Sequence, residues 1–324
     1  KGGGAIADDS VRQFDFLLDW DQEEAMKRDL ELSPEAFRAA SAGGVRLVTG
    51  TAGCGKTLIL MFRARLSATL DSTSRVLVLM HNRPLKADLQ ARAKELGLSA
   101  NIEWKTFYGW LRTHFSFRPI KSRERNAFLD TLLQKSGLGK QFSRGFLLDE
   151  FEWISDNATG KPTLQWYLGS SRQGRRYGLN AAQREKIHGL YVRYRQKLES
   201  EGMVDWPLVP RLFLKKLSAG EIVLKKYDAI YVDEAQFFAP IWFACIKQAL
   251  APQHGRLFMV ADPTQGFLRN GMSWLQVLGG EVRGRTQRLT RPYRNTRPIM
   301  KLAREFYQAR LAKEEGEVNL PDDD

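Results

Sequence analysis

The chain has 324 residues, of which 43% are hydrophobic and 27% are charged, an ordinary balance for a globular protein with a large core. No apolar run approaches the length that a bilayer requires, which excludes a membrane-spanning role. The formal net charge of +13 favours a polyanionic partner, and nucleic acid is the leading candidate.

The first predicted strand, residues 45–48, leads into Gly50-Thr51-Ala52-Gly53-Cys54-Gly55-Lys56-Thr57, and an apolar helical run follows. A glycine-rich turn between a strand and a helix directs backbone N–H groups and the positive end of the helix dipole at an anion. Lys56 is then expected to reach the β- and γ-phosphates, and the Thr57 hydroxyl to ligate Mg²⁺. A plain strand-to-helix turn needs no Lys-Thr pair. The motif therefore predicts nucleoside triphosphate binding.

Five further β-rich runs alternate with helical stretches. They are residues 75–80, 101–106, 229–232, 257–261 and 286–289. Apolar strands separated by amphipathic helices predict a parallel sheet covered on both faces, which makes the chain an α/β nucleotide-binding protein.

The alternation stops between residues 113 and 221, a segment that we call the helical insert. Ile187, Leu190, Tyr191, Tyr194 and Leu198 recur there at helical spacing. We therefore predict a helical subdomain that divides the α/β core into residues 1–112 and 222–300, with residues 301–324 beginning a connection to a further domain.

The insert also contains a basic stretch. It comprises Arg172, Arg175, Arg176, Arg184, Lys186, Arg193, Arg195 and Lys197, and Glu185 is the one acid among them. Such clustering favours contact with nucleic acid, for which we single out Arg175 and Arg176, and an even spread of charge for solubility is the alternative.

The predicted strand 229–232 ends in Asp233-Glu234-Ala235-Gln236. Asp233 is expected beside Thr57 at the magnesium ion, and Glu234 is expected to position or deprotonate the attacking water. A helix N-cap is the alternative explanation for these acids.

Two later segments carry further candidates. Strand 257–261 leads to Asp262-Pro263-Thr264-Gln265, where Gln265 could bind the γ-phosphate or the water. After the last strand, Arg294 is a candidate arginine finger, and Tyr293 offers a flat face for adenine.

Only two cysteines occur, Cys54 and Cys245. This count excludes a disulfide framework and is typical of a reduced, cytoplasmic protein. Because the chain begins at Lys1 and three glycines, we expect it to be a piece of a longer protein.

In this order the motifs resemble those of the superfamily 1 DNA helicases of the UvrD/Rep type. Residues 50–57 match motif I, 233–236 motif II, 261–265 motif III and 289–296 motif IV, and the pair Asp205-Trp206 is similar to a pair in the inserted lobe of that family. The resemblance implies a RecA-like P-loop NTPase that uses ATP and Mg²⁺ and moves 3′ to 5′ on DNA.

The resemblance also implies roles for particular residues. Two segments match DNA-contacting motifs, namely His81-Asn82-Arg83 and, within 105–108, Thr106-Phe107-Tyr108. Gln22 resembles the family's adenine-reading glutamine, although its distance from Gly50 is longer than expected and an exposed helical glutamine is the alternative.

Two features depart from the family pattern. The aromatic residues that usually follow motif III are absent, which leaves Phe267, Trp274 and Tyr108 as candidates for base stacking. Nothing resembles motifs V and VI, which belong to a second RecA-like domain, so we expect this chain to bind ATP but to hydrolyse it slowly.

The leading hypothesis is the N-terminal motor domain of an ATP-dependent helicase or translocase with single-stranded or junction DNA as its partner. The alternative is a nucleotide-gated DNA-binding or regulatory module of a larger nuclease or defence assembly, which does not unwind DNA. A nucleotide kinase is a third reading, but it leaves Glu234, Gln265 and Arg294 together without a role.

Overall fold

A computed structural model describes residues 18–30, 44–95, 101–172, 175, 177–263, 274–278, 282–293, 298–299, 301–302 and 305. Gln265, Arg294, Arg176 and Phe267, all named above, lie outside these residues. Among the residues described, no helix has both the length and the apolar character needed to cross a membrane.

The core of the described structure is a six-stranded sheet. Its strands are β1 (Gly44–Gly50), β2 (Val76–Met80), β3 (Ile102–Thr106), β4 (Ala229–Val232), β5 (Arg256–Ala261) and β6 (Thr286–Leu289). The spatial order is β3-β2-β4-β5-β1-β6, and every pairing is parallel. The predicted parallel α/β fold is confirmed, and each strand lies within one residue of its prediction except β1, which extends beyond residues 45–48 at both ends.

Both faces of the sheet are buried, which explains the continuous apolar runs in its strands. In β2, Leu77 and Leu79 belong to one hydrophobic cluster, whereas Val76, Val78 and Met80 belong to a second. Side chains of a strand point alternately to opposite faces, so the two clusters are the two covered faces of one sheet.

Helices of the α/β core pack on these faces. They are α1 (Trp20–Lys27), α2 (Lys56–Leu70), α3 (Arg83–Glu95), α10 (Pro240–Ala249) and α11 (Trp274–Leu278). Helix α2 follows β1 after the glycine-rich turn and packs against α1 and β5.

Between β3 and β4 the chain is helical. The helices are α4 (Phe107–Leu111), α5 (Ser122–Ser136), α6 (Arg144–Asn157), α7 (Leu164–Gly169), α8 (Ala181–Ser200) and α9 (Val209–Ser218). Side-chain caps from Ser143, Thr163 and Asn180 begin α6, α7 and α8. The five apolar residues that predicted α8 are all buried.

The helices of the insert share a hydrophobic cluster with one face of the sheet. The cluster joins Leu129, Phe151 and Tyr191 of the insert to Leu77 and Ile230 of the sheet. The insert therefore packs on the core over a continuous apolar surface.

In the part of the chain that the structure describes, three arginines cap the C-terminal ends of helices. Arg63 donates to carbonyl oxygens at the end of α1. Arg184 donates to the carbonyl oxygens of residues 167, 168 and 170, around the end of α7. Arg211 donates to the carbonyl oxygens of residues 155, 158 and 160, around the end of α6. The last carbonyls of a helix have no intrahelical partner and carry the negative end of the dipole, so a cation satisfies them. Part of the positive charge therefore serves the fold.

Candidate functional site

The carboxyl ends of β1, β4 and β5 bring residues from three distant segments together. The Thr57 hydroxyl donates to the Asp233 carboxylate, with distances of 3.3 and 3.1 Å to Oδ1 and Oδ2. Lys56 Nζ donates to the carbonyl oxygens of Gly50 and Thr51 at 2.8 Å each, and it lies 3.7 Å from Asp262 Oδ2. Neighbouring parallel strands end at one edge of the sheet, which is where α/β proteins bind ligands.

The turn that precedes α2 requires glycine at several positions. Gly53 and Gly55 have φ values of 87° and 84°, a region that side chains disfavour. A Cβ atom on Gly50 would lie 2.5 Å from Cys54 Sγ and 2.9 Å from the Leu289 carbonyl oxygen. The loop is therefore a close-packed backbone cradle.

Besides Lys56, the cradle contains two more buried side chains, Cys54 and Thr51. Burial raises the pKa of the Cys54 thiol, so Cys54 contributes an uncharged side chain. The Thr51 hydroxyl oxygen is also buried and has no hydrogen-bond partner among the described residues. An orphaned polar atom in a glycine-rich turn is a feature expected of a loop that binds an anion.

Asp233 is the buried carboxyl group of the site. Burial, and secondarily the neighbouring Glu234, raises the pKa of Asp233 to about 7, whereas the hydrogen bond from Thr57 opposes this shift. A carboxylate that is desolvated beside another acid is stabilised by a cation, so the pair Asp233 and Thr57 is suited to hold one.

Glu234 and Gln236 follow Asp233 in an unusual backbone turn. Glu234 has a φ of 52°, and its N–H donates to Asp233 Oδ1 at 2.9 Å. The Gln236 amide donates to the Glu234 carboxylate and accepts from the Asp262 N–H at 3.0 Å. Gln236 thus connects the ends of β4 and β5 and limits where the Glu234 carboxylate can move, a role that sequence reasoning did not assign to it.

Gln22 lies against the cradle at the beginning of α1. Its side-chain amide donates to the Cys54 carbonyl oxygen at 3.0 Å and accepts from the Asp19 N–H at 3.0 Å. Gln22 is 4% exposed, so it is not an exposed helical residue. A side chain at Gly55 would collide with this amide.

Tyr293 lies at the rim of the same site. Its N–H donates to the Gly53 carbonyl oxygen at 2.9 Å, and its hydroxyl donates to the Asp19 carboxylate. Tyr293 is 56% exposed. The segment after β6 is therefore attached to both the cradle and the start of α1.

The residues predicted to contact DNA occupy different environments. The His81 ring lies 5.2 Å from that of Phe237, and Asn82 and Arg83 are exposed at the start of α3. The Thr106 hydroxyl caps α4 by accepting from the Gly109 N–H at 3.2 Å.

Phe107 is fully buried, and its ring stacks on Trp242 at 4.3 Å. A buried ring offers no face to a base, so the structure gives Phe107 a packing role in which it supports the adjacent Tyr108.

Tyr108 and Trp206 form an aromatic surface near this segment. Their ring centroids are 5.1 Å apart, and Trp206 is 37% exposed. The Arg112 guanidinium lies 5.2 Å from the Trp206 ring and 4.8 Å from the Phe117 ring. The sequence analysis did not identify Arg112, and it named Trp206 only as part of a pair. The available signal for Trp206 was a large aromatic residue beside a proline, after the end of α8.

Arg175 is placed differently from the sequence prediction. Its guanidinium bonds Asp149 Oδ2 at 2.7 Å and Glu150 Oε2 at 2.9 Å, and its side chain is 10% exposed. Arg172 bonds the same Glu150 carboxylate at 2.7 Å. Because Glu150 is fully buried, it holds both arginines against the insert, so the Arg175 guanidinium already has two carboxylate partners; contact of Arg175 with DNA stays a prediction.

Trp274 is the remaining described candidate for base stacking. It is half-buried at the start of α11, and its ring lies 6.0 Å from that of Phe243. Trp274 therefore packs against the core cluster.

Comparison with known proteins agrees with this arrangement. No curated protein matches the chain. The family model described as UvrD/REP helicase N-terminal domain matches residues 32–268, a span that holds the cradle, the Asp233-Glu234 pair, Asp262 and the helical insert. The chain therefore belongs to the UvrD/REP helicase N-terminal domain family, and it is a helicase motor domain with a parallel α/β fold.

Proposed function

We propose that this domain binds ATP with Mg²⁺, hydrolyses it, and uses the cycle to move 3′ to 5′ along a single strand of DNA. The observation that carries the proposal is the convergence of Lys56, Thr57 and Asp233 at one edge of the sheet. The polarity is carried over from the family resemblance.

The residues present fit a magnesium-bound triphosphate. Mg²⁺ takes oxygen ligands and usually keeps few protein ligands beside phosphate oxygens and water, which matches the Thr57 hydroxyl and the Asp233 carboxylate. Bound Mg²⁺ would neutralise phosphate charge as it develops. Backbone N–H groups of residues 53–57 and the Lys56 ammonium group would bind the phosphates.

Glu234 is the proposed general base or water-positioning residue, since it follows Asp233 and is oriented by Gln236. We propose Gln265 as the residue that senses the γ-phosphate and Arg294 as the arginine that neutralises transition-state charge. Gln22 and Tyr293 are proposed to recognise adenine. His81, Asn82, Arg83 and Thr106 are proposed to bind the DNA backbone.

For the DNA, we propose that bases stack on the surface formed by Tyr108 and Trp206, with Arg112 beside them. Trp206 is exposed and Tyr108 is partly exposed, and aromatic rings next to a guanidinium group bind single strands without reading their sequence.

We propose residues 113–221 as the boundaries of the helical insert.

The nucleotide proposal is tested with Lys56→Ala. Loss of the ammonium group should reduce equilibrium binding of ATP with Mg²⁺ by at least about a hundredfold, since Lys56 supplies the charge that faces the phosphates. Lys140→Ala, which removes an exposed charge from the insert, is the matched control and should bind as wild type does. Equal ATP affinity in the two variants would contradict the proposal.

The DNA surface is tested with Trp206→Ala. Removal of one stacking platform costs about 1–3 kcal/mol per base, so affinity for a short single strand should fall by roughly fivefold or more at fixed salt. Tyr177→Ala removes an exposed aromatic residue elsewhere in the insert and serves as the control. An unchanged affinity in Trp206→Ala would place the strand elsewhere.

Motor activity and gated binding are separated by a strand-displacement assay on the longest chain that contains this domain. ATP-dependent unwinding or translocation, abolished by Glu234→Gln while ATP binding persists, supports the motor. DNA binding that responds to ATP without movement along the strand would instead favour a regulatory module.

A further inference from the structure

Arg63 is a buried arginine to which none of the proposed nucleotide contacts assigns a role. It lies on α2 seven residues after Lys56, a spacing that places both residues on nearly the same side of the helix. Helix α1 packs on α2, and the Arg63 side chain extends from α2 to the end of α1.

The Arg63 guanidinium binds the C-terminal end of α1. Its Nη1 donates to the carbonyl oxygens of Met26 at 2.7 Å and Arg28 at 2.8 Å, and a longer contact of 3.4 Å reaches Ala25. The group lies 4.6 Å from the centroid of the Phe258 ring on β5 and is 4% exposed. Burial lowers the pKa of Arg63 to about 10, so the side chain remains charged near neutrality.

The N-terminal half of α1 is attached to the nucleotide site. Gln22 donates to Cys54 in the cradle, Gln287 donates to the Asp21 carbonyl oxygen at 3.2 Å, and Tyr293 donates to Asp19. These contacts hold the beginning of a helix of eight residues, a length at which an isolated helix is unstable in water. The position of α1 therefore depends on being held at both ends.

We infer that Arg63 is a positioning residue that sets the preference of the site for the nucleobase, by holding α1 so that Gln22 lies over the cradle. The inference rests on the proposed function, because it takes Gln22 and Tyr293 as the residues that face the base. The triphosphate end needs only residues 50–57, which are covalently continuous with β1 and α2. Arg63 should thus affect recognition of the base and leave recognition of the phosphates unchanged.

The test compares two ligands on the same protein. ATP reports on the base, the ribose and the phosphates together, whereas inorganic tripolyphosphate reports on the phosphates alone. In Arg63→Lys, the shorter side chain does not carry its ammonium group to the position of Arg63 Nη1, the atom that donates to all three carbonyls, so affinity for ATP with Mg²⁺ should fall by about tenfold. Affinity for tripolyphosphate should remain within about twofold of wild type, which also shows that the variant is folded.

Arg211→Lys is the matched control. Arg211 also donates to three carbonyls at the end of a helix, but that helix is α6 in the insert. Loss of this cap should leave the ratio of the two affinities unchanged. A general effect of weakened helix caps would instead alter both variants alike.

Gln22→Ala completes the test. If Arg63 acts through Gln22, the double variant Gln22→Ala with Arg63→Lys should lose no more ATP affinity than Gln22→Ala alone. Arg63→Met, which fills the space without charge, repeats the comparison if the lysine variant does not fold.

An unchanged ratio of ATP to tripolyphosphate affinity in the Arg63 variants, an equal fall of both affinities, or additive losses in the double variant would overturn the inference. Each of these results leaves the proposed function intact as long as Lys56→Ala weakens both ligands. Failure of the wild-type protein to bind ATP would overturn both.

Discussion

Glu150 is a single buried carboxylate that pairs with two arginines, Arg172 and Arg175. Burial raises its pKa, but hydrogen bonds from Arg172 and Tyr167 and the charges of Arg172 and Arg175 outweigh burial and hold the pKa below its ordinary value. The carboxylate therefore remains ionised inside the insert. Removing a partner from such a cluster leaves an uncompensated buried charge.

Charge reversal at Arg175 should consequently act on stability. Arg175→Glu places an acid against Glu150 and Asp149, so the free energy of unfolding should fall by about 3–5 kcal/mol. Arg193→Glu changes an exposed residue of the same basic stretch and should alter it by less than about 0.5 kcal/mol. Urea unfolding of both variants measures the difference, and a stable Arg175→Glu protein would contradict the observed network.

Glu150 also predicts a pH dependence. Its folded-state pKa is below the ordinary value of 4.5, so its ionised form contributes stability that is present above that value. This contribution is lost as the pH falls through the folded-state pKa. The free energy of unfolding should fall less between about pH 7 and about pH 3 in Glu150→Gln than in wild type. Equal slopes in the two proteins would remove Glu150 from this role.

At the scale of elements, glycines have opposite roles in a loop and in a helix. Gly55 precedes α2 with a φ of 84° and meets the Gln22 amide. Gly189 lies in the interior of α8, and a Cβ there would meet nothing within 4 Å. The first position requires glycine, and the second tolerates any good helix former.

Alanine at these two positions should therefore have opposite effects. Gly189→Ala should raise the free energy of unfolding by about 0.5–1 kcal/mol, because alanine loses less backbone freedom in a helix. Gly55→Ala should weaken ATP binding, since the cradle cannot form around a side chain. Thermal unfolding and ATP titration distinguish the outcomes, and stabilisation at both positions would contradict the cradle geometry.

At the scale of the whole molecule, the insert and the sheet share one hydrophobic cluster. Their shared cluster includes Leu147 of α6 together with Leu257 of β5, and both are fully buried. A continuous core predicts cooperative unfolding, although the chain alternates between two patterns of secondary structure.

Unfolding followed by tryptophan fluorescence and by far-UV circular dichroism should then show coincident transitions. Leu147→Ala, a cavity in the insert, should lower the stability reported by both probes by about 2–5 kcal/mol. Leu168→Ala, at an exposed position, is the control. Separate transitions for insert and core would show that the shared cluster does not couple them.

The amino-acid sequence by itself predicted the parallel sheet, which the structure confirms, and it also predicted the helical insert and the candidate site at the strand ends. Hydrophobic periodicity is a local pattern, and the glycine-rich turn and the acidic pair are motifs of short spacing. All three can therefore be recognised in the sequence alone. The stripe in α8 and the cradle before α2 are examples.

Only the tertiary structure decided which charges are used inside the protein. Arg63, Arg175 and Arg211 resemble surface residues in sequence, but their partners are separated from them by 25 or more residues. Burial depends on what the fold places nearby, as when Glu150 meets two arginines and Gln236 meets Asp262. The number of charged residues in a sequence does not show which of them are buried, because burial depends on the distances between elements in the folded chain.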